Sequence, residues 1–350
     1  MKILYAIQGV ERSSGVSLFV VEMLKGLVAR GHDCSLLYST VFEVGDLLPK
    51  EVVRIQSDDV HQVLNKGCYD LVHMHGLWSP FNRQVMLACC KVNIPFVVSP
   101  HGCLMPGAMK KGILKKIVFF FFFLRPLMRR AAFVHITTEA ERIACERLGL
   151  SGRMVEIPLG VEIGPLLDVS KEKIVLSLSR ISPEKGIDDL LNAWHRIDHQ
   201  GWRLLIAGPS WRGCREELEK MVAEQKISDV EFVGPVFGED KRRLYARASL
   251  FVMPSHTENF GGTVLEALAE ETPVVTTTDV AWDVLPEIGC GWWIHRADLP
   301  KTLLSAIGVD LSELQKMGEK GRVYSASHYG WDSIVDKMIV EYREISPNDL

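Results

Sequence analysis

The chain has 350 residues, 47% of them hydrophobic and 24% charged, with a formal net charge of -4. This is the composition of a soluble globular protein long enough for two domains with separate cores, and its balance suggests no nucleic-acid partner. Eight scattered cysteines without a Cys-x-x-Cys pair indicate neither a zinc cluster nor a disulfide scaffold, and they fit a reducing cytoplasm.

The apolar start Met1 to Ile7 breaks off at Gln8 and Gly9, too early for a signal peptide, and reads as a first buried strand. Beyond it, short runs of Val, Ile and Leu alternate with helix-length amphipathic segments, the pattern of an α/β protein with parallel strands covered by helices. Strands are predicted at 2–7, 34–38, 52–55, 70–75, 94–99 and 132–136. The clearest helix runs from Ser17 to Ala29, with Leu18, Val21, Leu24 and Val28 on one face and Gly31 as a stop. No window reaches the roughly 20 apolar residues of a membrane-spanning helix.

Lys110 to Arg130 holds seven basic residues (110, 111, 115, 116, 125, 129, 130), no acid, and five consecutive phenylalanines at 119–123. On a helix five successive side chains point all around the axis, so some must leave the core face. A cationic, aromatic-rich helix suits an anionic bilayer surface; a buried helix with a solvated basic rim is the alternative. Thr138-Glu-Ala-Glu141 has capping-box spacing and opens a further helix.

Periodicity lapses from Ile157 to Ser170 into Pro158, Gly160, Gly164 and Pro165, the composition of a linker. The alternation then restarts, with strands at 173–179, 203–207, 230–233, 249–253 and 273–277. Helices are expected near 187–198, 213–226, 239–247 and 262–270. Trp331 to Ile345 carries Ile334, Met338 and Tyr342 at helical spacing. The domains implied are 1–162 and 170–330.

The richest stretch for chemistry is Ser255 to Ala269. Glu258 and Glu266 bracket a Phe260-Gly261-Gly262-Thr263 turn that opens into a helix directly after a strand. A helix start presents unpaired N–H groups to a diphosphate, glycines let a ligand approach the backbone, and carboxylates accept hydrogen bonds from sugar hydroxyls. The loop from Ser177 to Asp188 also follows a strand and precedes a helix, at the sheet edge where open α/β folds bind ligands. Arg180 and Lys185 there can both meet a diphosphate, or simply be solvated loop cations.

Taken in order, several segments make the chain resemble glycosyltransferase family 4, retaining enzymes of the GT-B fold, over nearly its whole length. They are Gly15, Val72-His-Met-His-Gly-Leu-Trp78, Ser99-Pro-His-Gly102, the Arg180 to Lys185 loop, Ala207-Gly-Pro-Ser-Trp211, Phe232-Val-Gly-Pro235, the Glu258 to Glu266 element and Gly289-Cys-Gly-Trp-Trp293. The resemblance is to enzymes of bacterial polysaccharide and lipopolysaccharide synthesis. It implies two facing Rossmann-like domains around a cleft, the first binding an acceptor and the second a nucleotide sugar, with the terminal helix, about 331–350, crossing back to the first.

By the same resemblance Arg180 and Lys185 would neutralise the donor diphosphate and Glu266 would hold the ribose. Glu258 and the amides of Phe260 to Thr263 would grip the transferred sugar and phosphates. His101 would lie near that sugar, and Gly15 where acceptor and donor meet. A strand-end histidine such as His101 is equally compatible with a structural role, and His73 and His75 are weaker candidates on the same grounds. No Asp-x-Asp is present and the histidines lack a metal-ligand pattern, so neither metal nor other cofactor is expected beside the nucleotide-diphosphate sugar itself.

The expected activity is thus retaining, metal-independent hexosyl transfer to a glycan or lipid-linked acceptor, by a cytoplasmic protein peripheral to the inner face of the membrane. A GT-B sugar-nucleotide epimerase and a non-catalytic sugar-nucleotide-binding membrane protein are the alternatives. A dinucleotide oxidoreductase is disfavoured, because Gln8 to Gly15 lacks Gly-x-Gly-x-x-Gly. The single glycine of the first loop, Gly107 in place of an aromatic, and Leu159-Gly160 in place of Asn-Gly depart from the family, the first two where an acceptor would sit.

Overall fold

The computed structural model describes residues 1–110 and 112–345; Lys111 of the basic segment and the tail 346–350 lie outside the described residues. Seven strands make the first parallel sheet: β1 (Lys2–Ile7), β2 (Asp33–Tyr38), β3 (Val53–Gln56), β4 (Leu71–His75), β5 (Phe96–Ser99), β6 (Phe133–Ile136) and β7 (Met154–Glu156). Six make the second: β8 (Glu172–Leu178), β9 (Arg203–Ala207), β10 (Val230–Gly234), β11 (Ala248–Met253), β12 (Val274–Thr277) and β13 (Gly291–Ile294). The orders are β3-β2-β1-β4-β5-β6-β7 and β10-β9-β8-β11-β12-β13.

Both sheets reverse direction beside their first strand, between β1 and β4 and between β8 and β11. That is the doubly wound topology, and it puts a ligand crevice at the carboxyl ends of those strands. The two Rossmann-like α/β domains are those of the GT-B fold. Residues Ile3 to Ala6 of β1 are wholly buried, as are Leu250 to Val252 of β11, because helices cover both faces of each sheet.

One compact unit comprises Met1–Gly160 with the C-terminal helix, the other Val161–Gly330. The returning helix Trp331–Ile345 buries Ile334, Val335, Met338 and Tyr342. It lies so close to the helix Gly15–Ala29 that a Cβ on Gly26 would fall 2.4 Å from Val335. Arg30 adds hydrogen bonds to Asp336 at 2.5 Å and Asp332 at 3.1 Å.

The helix predicted from Ser17 starts at Gly15. Ser14 is its cap, accepting from Ser17 N, while the Ser17 hydroxyl is turned away to accept from Glu11 N at 3.0 Å. In the basic segment a helix (Ile113–Phe119) runs into a π-helical turn (Phe120–Leu124) and then a short helix (Arg125–Met128). The wide turn buries Phe120 and Leu124 at its two ends and leaves Phe121, Phe122 and Phe123 exposed. Leu114 and Val118 are exposed beside them. Among the described residues no helix is long and apolar enough to cross a membrane.

Candidate active site

At the end of β8 the chain passes through Arg180 into a single 3-10 turn, Pro183–Lys185, and then the helix Ile187–His195. Between turn and helix stands Gly186 at φ +64, where a Cβ would lie 2.3 Å from the Pro254 carbonyl oxygen. Only glycine lets this loop press against the end of β11. His256 N donates to Glu184 O at 2.9 Å and completes the seam. Ile181 N donates to Pro209 O and Trp211 N to Ile181 O, at 2.9 and 3.0 Å, while Gly208 N donates to Gly234 O at 2.8 Å. Four separate sequence motifs therefore meet along one sheet edge.

That seam brings Lys185 onto Glu258 as an ion pair with both side chains largely buried. The other oxygen of Glu258 accepts from Asn259 N at 3.1 Å. Arg180 is more open and pairs with Glu184 at 2.9 Å. Glu266 sits one turn into the helix Gly262–Ala269 and accepts from Lys241 at 2.6 Å and from the Tyr245 hydroxyl at 2.9 Å. Lys241 and Tyr245 were not among the sequence candidates. Their i, i+4 spacing, which puts both on one face of the helix Gly238–Arg247, was the available signal. Burial, reinforced by the Glu266 charge, pushes the Tyr245 phenol well above its usual range, so it stays a donor.

The Phe260-Gly-Gly turn is shaped from beneath. The Phe260 ring packs edge-on to Trp282 and Tyr329, with centroids 5.6 and 5.9 Å away, and its carbonyl accepts from Trp282 Nε1 at 2.7 Å. Any ligand contact by Phe260 thus falls to its main chain. Gly261 is at φ +78, and a Cβ there would be 2.7 Å from Met253 Cε. The helix that follows has no side-chain cap; Val264 N donates to Gly261 O at 2.9 Å, and the N–H groups of Gly262 and Thr263 remain available to an anion. The Thr263 hydroxyl is turned to Met253 Sδ at 3.4 Å.

No metal-ligand pattern of the histidines is visible in the sequence, but in the fold His256 Nε2 lies 2.8 Å from Asp189, and Asp188, Asp189 and His256 can bring one ligand atom each within 4.8 Å of the others. The residues are 67 apart in the chain, so no spacing pattern could reveal them. Asp188 is exposed and the His256–Asp189 contact is already satisfied as a hydrogen bond, so the cluster has its own account without a metal.

In the first unit Gly15 is the opening residue of its helix, where a Cβ would meet nothing within 4 Å. His101, just past β5, stands at φ +51, and the next amide, Gly102 N, donates to the buried carboxylate of Glu141. Glu141 also accepts from Thr137 N at 2.9 Å. Its capping-box position was visible in the sequence, but this grip on the His101 turn was not.

Around His101 stand His73, His75 and His135, the last unforeseen. The polarity of their network can be read from one end. His135 Nε2 faces the Ile157 carbonyl at 2.8 Å and must donate, so its Nδ1 accepts from the Ser99 hydroxyl at 2.6 Å. Ser99 Oγ then accepts from His73 Nε2 at 2.6 Å, which leaves His73 Nδ1 to accept from Tyr342, whose oxygen accepts from Tyr5 at 2.7 Å. Each ring is taken here as neutral, the form that burial favours. Burial pushes His73 well below its usual range, His135 to about 4 and His101 to about 3.

Comparison with known proteins follows the same division. Residues 172–311 match the family described as Glycosyl transferases group 1, and residues 41–160 match the Glycosyl transferase 4-like domain. An uncharacterized glycosyltransferase of Methanocaldococcus jannaschii is 25% identical over 288 residues, covering 79% of this chain and 76% of that one. D-inositol 3-phosphate glycosyltransferase of Streptomyces griseus is 32% identical over 173 residues, but the match covers 46% of this chain and only 36% of the relative. Among solved structures, Anabaena HepE in complex with UDP-glucose superposes with a TM-score of 0.80 at 18% identity, covering 98% of this chain and all of that one. WaaG, a glycosyltransferase involved in lipopolysaccharide biosynthesis, gives 0.75 at 17%, covering 98% and 99%. At such identities the structural likeness establishes the fold.

The fold and the family matches together define a glycosyltransferase of the GT-B class. Within that class the chain is related, through residues 172–311 and 41–160, to the group 1 and family 4-like glycosyltransferases.

Proposed function

We propose that the protein moves a glycosyl group from a nucleoside-diphosphate sugar to a glycan or lipid-linked acceptor, with retention at the anomeric carbon, in cell-surface polysaccharide synthesis. The observation that carries this reading is the Lys185–Glu258 pair beside the uncapped helix start at Gly262, at the switch point of the second sheet. Cation, carboxylate and free amides are there together, as a diphosphate joined to a sugar requires. Relatives solved with UDP and with UDP-glucose add support for the donor class.

In the proposed mechanism the donor diphosphate draws Lys185 and Arg180 to its oxygens, and the amides of Gly261 to Thr263 take the remaining charge. Glu258 then binds hydroxyls of the transferred sugar, and Glu266 binds the ribose in place of Lys241. The bond from the anomeric carbon to the phosphate oxygen breaks as nucleoside diphosphate departs. The acceptor oxygen attacks on the same face, and its proton passes to the departing phosphate oxygen. Lowering the energy of that leaving group is the main catalytic device. His101 of the first unit is assigned to substrate binding, and no protein nucleophile or metal is required.

The Lys110 to Arg130 segment is proposed as the contact with an anionic membrane, holding the enzyme where lipid-linked acceptors reside. Among the described residues the segment exposes the apolar side chains Leu114, Phe122 and Phe123 between its cations in sequence.

The test is incubation with a panel of UDP-, GDP- and ADP-sugars and a lipid-linked acceptor, with the new anomeric centre assigned by NMR. An inverted centre would refute retention. Sugar conversion without any acceptor would move the reading to an epimerase, and nucleotide binding with no turnover to a sensor.

A further inference from the structure

The carboxyl ends of β4 and β5 carry two imidazoles hydrogen-bonded to each other. His75 Nδ1 lies 2.9 Å from His101 Nε2. The rings are 22° from parallel with centroids 5.2 Å apart, a separation at which they meet edge to edge, nitrogen to nitrogen. By contrast, His73 lies over His75 at 4.3 Å as a face-to-face stack. One nitrogen of the edge contact must donate and the other accept, and the surroundings of His75 decide which.

The second nitrogen of His75, Nε2, is buried and has no hydrogen-bond partner. If His101 donated, neutral His75 would carry its proton on Nε2, as a buried N–H with no acceptor. If His75 donates from Nδ1, Nε2 is a bare lone pair, and an unmet acceptor is the more tolerable of the two. Protonating either ring fully is opposed by burial and by the neighbouring histidines.

We infer that His75 is a positioning residue: by donating from Nδ1 to His101 Nε2 it fixes His101 as its Nδ1–H tautomer, so that His101 meets its ligand as a hydrogen-bond donor and not as a base. Nδ1 of His101 makes no hydrogen bond among the described residues. Its partner is an acceptor oxygen of a ligand bound at the carboxyl ends of β4 and β5. The turn that presents it is held from behind by Glu141 through Gly102 N. This inference rests on the proposed reading of His101 as a site residue. It also sharpens that reading, because a ring with its proton already on Nδ1 cannot take one from the acceptor hydroxyl there.

The direct test needs no turnover. In protein labelled with 15N at its imidazoles, long-range 1H–15N correlation at neutral pH should give the Nδ1–H pattern for both His75 and His101; an Nε2–H pattern for His101 overturns the inference. Two variants follow it into activity. His75→Asn offers an amide N–H near the Nδ1 position and should keep transfer within about threefold, with His101 still in its Nδ1–H form. His75→Phe keeps the stacked ring but has no donor, and should lower kcat about tenfold with little change in KM, the scale of one lost hydrogen bond. Unchanged kcat in His75→Phe overturns the positioning role. If His101→Phe transfers normally while the wild-type spectrum stands, the reading of His101 as a site residue fails and the tautomer assignment does not.

Discussion

Lys185 and Glu258, 73 residues apart in sequence, close into one ion pair across the ends of β8 and β11, with side chains only 16% and 20% exposed. Each holds the other in place until a ligand offers a better partner. Lys185→Ala should therefore lower the transfer rate by about 100-fold, the scale of one lost charge-stabilising donor. Stability should fall by only roughly 1 kcal/mol, because the pair borders solvent. Initial rates and thermal melts of the purified variant check both numbers, and near-normal turnover would remove Lys185 from the mechanism.

Glu266 separates binding from chemistry. Its two oxygens accept from Lys241 and Tyr245, which aim the carboxylate without needing a ligand. Glu266→Gln keeps the shape and removes the charge. Affinity for the free nucleoside diphosphate should drop about tenfold, the loss expected for a hydrogen bond to a charged acceptor. Isothermal titration with UDP, GDP and ADP measures it, and an unaltered Kd for the preferred nucleotide would remove Glu266 from the ribose.

The buried imidazoles make stability depend on pH. Burial holds His135 to about 4 in the folded protein against an ordinary 6.5 for imidazole, so the unfolded chain binds more protons between those values. Its contribution is fully present above pH 6.5 and is lost as pH falls toward 4, with a slope of about 1.4 kcal/mol per pH unit. His135→Gln cannot titrate and should show a shallower decline between pH 7 and 5 in urea titrations. An equal slope in both proteins would contradict the neutral network.

For the proposed membrane contact the fold selects the side chains to change. Phe120 is fully buried, so its replacement would damage the core, whereas Phe122 is 74% exposed. Phe122→Ser with Phe123→Ser should reduce co-sedimentation with phosphatidylglycerol vesicles several-fold, and leave binding to neutral vesicles near zero in both proteins. Undiminished sedimentation would refute the contact.

Doubly wound order was legible because both-face burial writes itself as unbroken apolar runs such as Leu250-Phe-Val-Met253. Strands β7 and β13 escaped for the opposite reason: Met154–Glu156 is short and half-exposed, and Gly291–Ile294 hides two tryptophans behind glycines. At the site, Arg180, Lys185, Glu258 and Glu266 were visible as charges beside strand ends. Lys241, Tyr245, His135 and the grip of Glu141 were not, since each acts through a partner remote in sequence. The phenylalanine run was read correctly as unable to face one way, but no periodicity announced the π-helical turn that separates Phe120 from Phe122.

The return of Trp331–Ile345 to the first unit sets an order of events during synthesis. Residues 161–330 are contiguous and can fold as soon as they leave the ribosome, whereas the unit begun first waits for the last helix to bring Tyr342 and Val335 to their places. Until then the surface around Gly26 and His73 is open, and a ribosome stalled before codon 331 would display it to chaperones.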